Sequence, residues 1–210
     1  MDGNSKLDHD PTASGVEIVK INFKNIEFAV TAGDIMQEFR GSDAIVIPSS
    51  PELDLQNGVI ENLVDDEYGD GPFKALDAKK KQMSIPNLVP MCTAATATYQ
   101  GKEFIFVNIQ PPYDVDDQTP EGVRDSAYNC FKEANFNEAQ SIVIPALGNG
   151  MWHVPLDESV KAIAEAAKKF IDEMTEHGNE PALRKINVVL FRPRITDSSL
   201  IKDPVTKILT

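Results

Sequence analysis

Apolar and polar residues alternate at the start of the chain, through Val16, Ile18, Ile21 and Phe23 and then Ile26, Phe28 and Val30. A period of two over so few residues predicts two short strands. Gly33-Asp34 breaks the alternation and opens a short helix that runs through Phe39. The compact run Asp43-Ala44-Ile45-Val46-Ile47 has the apolar continuity of a strand buried on both faces. Pro48-Ser49-Ser50-Pro51 reads as a loop, and helices follow over about 57–68 and 73–83. Strands are expected over 91–99 and 104–109, with Gln100-Gly101-Lys102 as the turn between them and Pro111-Pro112 ending the second.

The pattern then lengthens. Residues 120–136 predict a helix with Thr119 as its cap and Pro120 in the first turn, where a missing N–H costs least. Ser141-Ile142-Val143-Ile144-Pro145 is a second buried strand, and a long helix follows over about 156–177. Its apolar residues Val160, Ile163, Ala164, Ala167, Phe170, Ile171 and Met174 recur at spacings of three and four, which makes one buried face. Ile186 to Phe191 forms the last strand. Residues 1–15 read as a polar tail, 16–196 as the domain, and 197–210 as a tail or short helix with room for one helical turn. Strands alternating with helices indicate an α/β fold with helices on both faces of a largely parallel sheet. Ligands of such sheets bind beyond the carboxyl ends of the strands, so the loops after Ile47, Ile144 and Leu190 carry the functional question.

Composition narrows the class. A chain of 210 residues suits one domain able to bury roughly 70% of its unfolded surface, and 41% hydrophobic with 25% charged residues is globular usage. No stretch reaches the ~20 apolar residues of a membrane span, and Met1-Asp2-Gly3-Asn4-Ser5 lacks the basic and apolar parts of a signal peptide, so a cytoplasmic or nuclear location is expected. The net charge of −13 argues against nucleic acid as a partner, because binding phosphate polymers needs clustered cations. A small diphosphate is not excluded, since backbone N–H groups can hold it. Cys92 and Cys130 lack metal-ligand spacing, so reduced thiols, no metal and no cofactor are expected.

The segment Ala146-Leu147-Gly148-Asn149-Gly150-Met151-Trp152 joins a buried strand to the long helix through two glycines. Such a loop can turn consecutive N–H groups inward as an anion nest. Trp152 is read either as a core residue or as a ring over a sugar or phosphate. Asn57-Gly58-Val59 makes a second strand-to-helix junction, and two junctions on neighbouring strands could clamp a pyrophosphate. Asp34 is read either as a helix N-cap or as an acceptor for an adenine amino group. His153 is the histidine inside a ligand loop and is read either as a solvated or core-satisfied residue or as an acid or base, while His9 lies in the tail and His177 at a helix end facing the dipole. The acidic runs 65–67 and 114–117 read as solvated surface.

The order of these fragments resembles the macro domain family over about residues 26–195. The residues that carry the likeness are Gly33-Asp34-Ile35, Asp43-Ala44-Ile45-Val46, Ser49-Ser50-Pro51-Glu52-Leu53, Gly58-Val59, and Pro145 to Gly150 with Pro155 before a long helix. The resemblance implies a three-layer α/β/α fold with a mixed, largely parallel central sheet that binds ADP-ribose. Asp34 and Ile35 would then meet the adenine, and Gly58 and Val59 one side of the diphosphate. Gly148, Asn149, Gly150, Met151 and Trp152 would take the other side. Phe191 would lie beside the adenosine or serve as a core strand residue.

Departures from the family pattern bear on activity. Ile47-Pro48-Ser49-Ser50 replaces the usual Asn-Ala-Ala-Asn, so Ser50 stands where an asparagine holds the distal ribose, without the amide's paired donor and acceptor. Gln56-Asn57-Gly58 shortens the usual glycine run, which leaves Asn57 against the ligand. Ile60, Glu61 and Asn62 follow Val59 where hydrolytic members carry an aspartate. Ser50, Glu61 and His153 are therefore the candidate catalytic groups. Three readings follow: a binding module for ADP-ribose or ADP-ribosylated proteins, a hydrolase of ADP-ribosyl groups or ADP-ribose 1″-phosphate, and a macro-like fold with a different ligand or protein partner.

Overall fold

The computed structural model describes residues 15–54, 58–110, 119–191 and 198–210. Among these residues seven strands form one sheet: β1 (Val16–Phe23), β2 (Ile26–Ala32), β3 (Ala44–Ser49), β4 (Ala94–Tyr99), β5 (Lys102–Asn108), β6 (Ser141–Pro145) and β7 (Lys185–Leu190). Their spatial order is β1-β2-β7-β6-β3-β5-β4. The five inner strands run parallel, and the two edge strands pair antiparallel through hairpins. Lys24 and Asn25 both take positive φ in the β1–β2 turn, and Gln100 and Gly101 do so in the β4–β5 turn. That conformation matches the natural twist of a two-residue hairpin. The sheet is therefore mixed and largely parallel, as the alternation of strand and helix patterns implies.

Among the described residues six helices cover the sheet: α1 (Ile35–Arg40), α2 (Val59–Tyr68), α3 (Gly71–Gln82), α4 (Pro120–Phe136), α5 (Leu156–Glu176) and α6 (Ser199–Leu209). Strand alternation splits the core into two layers. Val46 and Ile144 point into one apolar cluster with α4, α5 and α6, while Ile45, Ile47 and Val143 point into the other with α1, α2 and α3. Thr119 caps α4 as expected, its hydroxyl accepting from Gly122 N at 3.2 Å. His177 caps α5, with Nδ1 2.7 Å from the Glu173 carbonyl oxygen.

Two expectations are corrected. Pro48 and Ser49 belong to β3 rather than to a loop, pairing with Val107 and Asn108. Successive N–H groups of a strand face opposite neighbours, and the Ser49 carbonyl accepts from Ile109 on the β5 side at 3.2 Å. The N–H that Pro48 lacks would thus face β6, whose pairing with β3 has already ended. At the C-terminus the single expected turn is an 11-residue helix, α6, that buries Ile201, Val205 and Leu209 against the α4–α5 layer. The acidic stretch 114–117 and the Pro111-Pro112 stop lie outside the described residues. Among the described residues no helix is long and apolar enough to cross a membrane.

Candidate functional site

The sheet opens between β3 and β6. These strands pair only at Ala44–Ile142 and Ile45–Val143, whereas β3 stays paired with β5 through Ser49 and β6 with β7 through Pro145. Past Ile45 the two central strands are no longer bridged, and each ends in one of the two loops singled out from the sequence. The β3 connection leads to α2 on one face and the β6 connection to α5 on the other. Adjacent parallel strands whose connections leave in opposite directions form the crevice where ligands of α/β sheets bind.

One wall is the turn after β3. Ser50 is buried, its hydroxyl 3.2 Å from Asp54 Oδ1 and accepting from Glu52 N at 3.2 Å. Behind it, the Pro51 carbonyl accepts from Val89 N at 2.8 Å and the Glu52 carbonyl from the Lys80 ammonium. The wall is thus tied to α3 and to the approach to β4. Gly58 stands at the N-cap of α2 and Val59 begins the helix with its side chain 61% exposed. Asn57 lies outside the described residues. Glu61 is only 1% exposed. Its Oε2 accepts from Gly58 N at 2.9 Å and its Oε1 lies 3.2 Å from the Ser49 hydroxyl.

The other wall folds on itself. Asn149 Nδ2 donates to the Val154 carbonyl at 2.9 Å, Val154 N to Gly148 O at 3.0 Å, and His153 N to Gly150 O at 3.3 Å. Ser159 of α5 donates its hydroxyl to Leu147 O at 2.8 Å. Gly148 and His153 take φ of 73° and 54°. Asn149 N also donates to Ala146 O at 3.4 Å, so the backbone N–H groups of Asn149, His153 and Val154 are engaged; among the described residues, those of Gly150, Met151 and Trp152 make no such bond. Met151 is 77% exposed, whereas Trp152 is half-buried and packs against the core layer of α4 and α5. His153 is exposed at the outer end of the loop.

A third group gathers two strands away. Asp34 caps α1, with Oδ1 accepting from Met36 N at 2.8 Å, and Ile35 is buried beneath it. Gly33 N donates to Leu190 O at 3.1 Å, which brings Phe191, half-buried at the end of β7, beside Gly33-Asp34. Asp34, Ile35 and Phe191, Ser50 with Gly58-Val59, and the Gly148 to Trp152 loop therefore lie at the carboxyl ends of the parallel strands. Ser49 and Asp54 join the site through Glu61 and Ser50, although neither was a candidate catalytic or ligand-binding residue in the sequence. The glycine followed three residues later by Glu61 was the signal for the Glu61–Gly58 bond, since a glutamate at that spacing reaches back to the cap.

Comparison with known proteins identifies the family and the fold. The family model described as Macro domain matches residues 53–163. The Oceanobacillus iheyensis macrodomain with ADP superposes with a TM-score of 0.75 at 18% identity, over 93% of this chain and 98% of that one. A point mutant of that macrodomain with ADPR superposes at 0.72 and 16% identity, over 90% and 97%. The Trypanosoma brucei macrodomain in complex with ADP-ribose superposes at 0.56 and 16% identity, over 87% of this chain and 67% of that one. No curated protein sequence matches the chain.

Proposed function

Because the chain belongs to the macro domain family, we propose that it binds ADP-ribose, free or carried on a partner protein, with weak or no catalysis. The observation that carries this reading is the end of β3–β6 pairing after Ile45 and Val143, with a strand-to-helix loop on either side of the opening. In this reading the diphosphate lies between Gly58-Val59 and Gly148 to Trp152. The unbonded N–H groups of Gly150, Met151 and Trp152 offer the anion-binding donors that a chain of net charge −13 does not supply as lysines. Val59 and Met151 are exposed apolar side chains on the two lips, and a bound nucleotide would cover both. Asp34, Ile35 and Phe191 take the adenosine end, and Ser50 the distal ribose. The ADP of the bacterial structure and the ADP-ribose of the trypanosomal one fit a site of this class.

Binding is favoured over turnover by the state of the candidate catalytic groups. Ile60 offers no proton chemistry, and the Glu61 carboxylate is buried between Gly58 N and the Ser49 hydroxyl. A group so engaged is a poor base for a water in the cleft. Titration calorimetry with ADP-ribose tests the reading directly. Saturable heat is expected; folded protein that gives none at millimolar ligand overturns it. Steady release of ADP-ribose from a modified protein would move the function to hydrolysis, with Ser50 and His153 the residues to substitute.

A further inference from the structure

The turn after β3 has a second neighbour besides the cleft. Past Ser50, the Pro51 carbonyl accepts from Val89 N at 2.8 Å and the Glu52 carbonyl from the Lys80 ammonium. Beyond these two bonds lies a groove of about 440 Å³ between the last turn of α3 and the connection that follows it, lined by Asp77, Lys80, Lys81, Ser84, Ile85 and Asn87 among others. Its frame is fixed by backbone. Met83 N, Ser84 N and Ile85 N donate to the carbonyls of Lys79, Lys81 and Lys80, so the end of α3 is closed without its lysine side chains, and Asn108 Nδ2 holds the Val89 carbonyl at 2.9 Å.

The groove is a basic spot on a chain of net charge −13. Lys20, Lys24 and Lys74 each meet a carboxylate. Lys80 instead meets a neutral carbonyl, and among the described residues Lys81 makes no hydrogen bond or ion pair. Asp77 is the single carboxylate on the lining, and among the described residues it pairs with neither lysine. The same connection exposes Met83 and Leu88, at 61% and 60%. Exposed apolar side chains beside uncompensated charge mark a surface for a partner.

We propose that this groove docks an acidic segment of the polypeptide that carries the ADP-ribosyl group, so that a modified partner is recognised by its own carboxylates as well as by the nucleotide. This rests on the reading of the site as an ADP-ribose cleft. The partner is joined to the nucleotide through the distal ribose, the end given to Ser50. A polypeptide leaving that end crosses the turn of Pro51 and Glu52, whose far side is bonded to Val89 and Lys80. Its carboxylates then pair with the ammonium groups of Lys80 and Lys81, and an apolar neighbour covers Met83 or Leu88. A nucleic acid fits less well, because two lysines release few counterions against the repulsion of the remaining surface.

Calorimetric titration of the full chain tests the proposal with three ligands: free ADP-ribose, and two short peptides ADP-ribosylated on a serine, one flanked by glutamates and the other by glutamines. The glutamate peptide is expected to bind about tenfold more tightly than the glutamine peptide at low salt, the effect of two exposed ion pairs, and to lose that advantage at high salt. Lys81→Glu should abolish the advantage and leave the affinity for free ADP-ribose unchanged, since the Lys81 side chain makes no bond within the described fold. Should an anion in the last turn of α3 weaken the helix, Lys81→Gln removes the charge alone and should cut the advantage to about threefold. Equal affinities for the two peptides, or an advantage that survives Lys81→Glu in folded protein, overturns the proposal. A thymidine oligonucleotide that displaces the glutamate peptide at equal charge also overturns it, by making the groove a general polyanion surface. Wild-type protein that binds none of the three ligands overturns the reading of the cleft and this inference with it, whereas ADP-ribose bound without preference for the glutamate peptide overturns the inference alone.

Discussion

The Ser49 hydroxyl lies 3.2 Å from Glu61 Oε1, joining the last residue of β3 to the first turn of α2 within one wall of the cleft. The other oxygen of Glu61 accepts from Gly58 N, so one buried carboxylate holds both ends of the β3–α2 connection. Replacing Glu61 with alanine should therefore destabilise the fold by about 1–2 kcal/mol, as loss of a buried acceptor does. Glu61→Gln keeps an oxygen for Gly58 N and should lose less. Urea unfolding of the two variants checks the order. Equal losses would mean that the charge, not the geometry, secures the junction.

Gly71 opens α3 with the Tyr99 ring against it: an added Cβ would lie 2.2 Å from the ring's Cζ. Helix propensity alone would make alanine an improvement at this position. The contact predicts the opposite sign, because the α3–β4 interface must shift to admit the methyl group. Gly71→Ala should lower stability by about 1–3 kcal/mol, the usual cost of overpacking. A raised melting temperature for this variant would show that Tyr99 moves aside freely.

Much of this architecture was legible in the chain because period and burial coincide. The apolar run Ala44 to Ile47 fills both layers of a strand covered on two faces, and the three-and-four spacing of α5 fills one, so the local pattern carries the tertiary answer. Pro48 misled because the loss of an N–H matters only on the side where a neighbour waits, and that depends on where β6 parts from β3. The length of α6 was hidden for a similar reason. Its Ile201, Val205 and Leu209 are four apart, yet Pro204 falls between them. At the site, the glycines and Asp34 were visible as local punctuation, whereas the bond from the Lys80 ammonium to the Glu52 carbonyl joins residues 28 apart in sequence. No local spacing encodes such a contact.

Tyr128 supplies a pH prediction. Burial, reinforced by its hydrogen bond to the Glu173 carboxylate and by that group's charge, pushes the phenol up to about 12. An unfolded tyrosine titrates near 10. The folded state therefore holds the proton more tightly, and the associated stability is complete below about pH 10 and is lost as pH rises toward 12. The tyrosinate absorbance of the wild type minus that of Tyr128→Phe should show the late titration. Glu173→Gln should bring it part of the way down, since burial remains. A midpoint unchanged by Glu173→Gln would remove the carboxylate from the account.

Gly148 and Gly150 separate what the fold needs from what a ligand would need. Gly148 sits at φ 73°, where a side chain costs roughly 1–2 kcal/mol, and its carbonyl accepts from Val154 N to close the loop. Gly150 is not in that region, and a Cβ built on it meets nothing within 4 Å. Gly148→Ala should therefore lower the melting temperature and weaken ADP-ribose binding together. Gly150→Ala should leave stability unchanged, yet it places a methyl group beside the unbonded N–H groups of Gly150, Met151 and Trp152. If a diphosphate approaches that backbone, the stable Gly150→Ala protein loses affinity in calorimetric titration. Undiminished affinity in that variant would place the diphosphate away from this stretch of backbone and leave Gly148 with a purely conformational role.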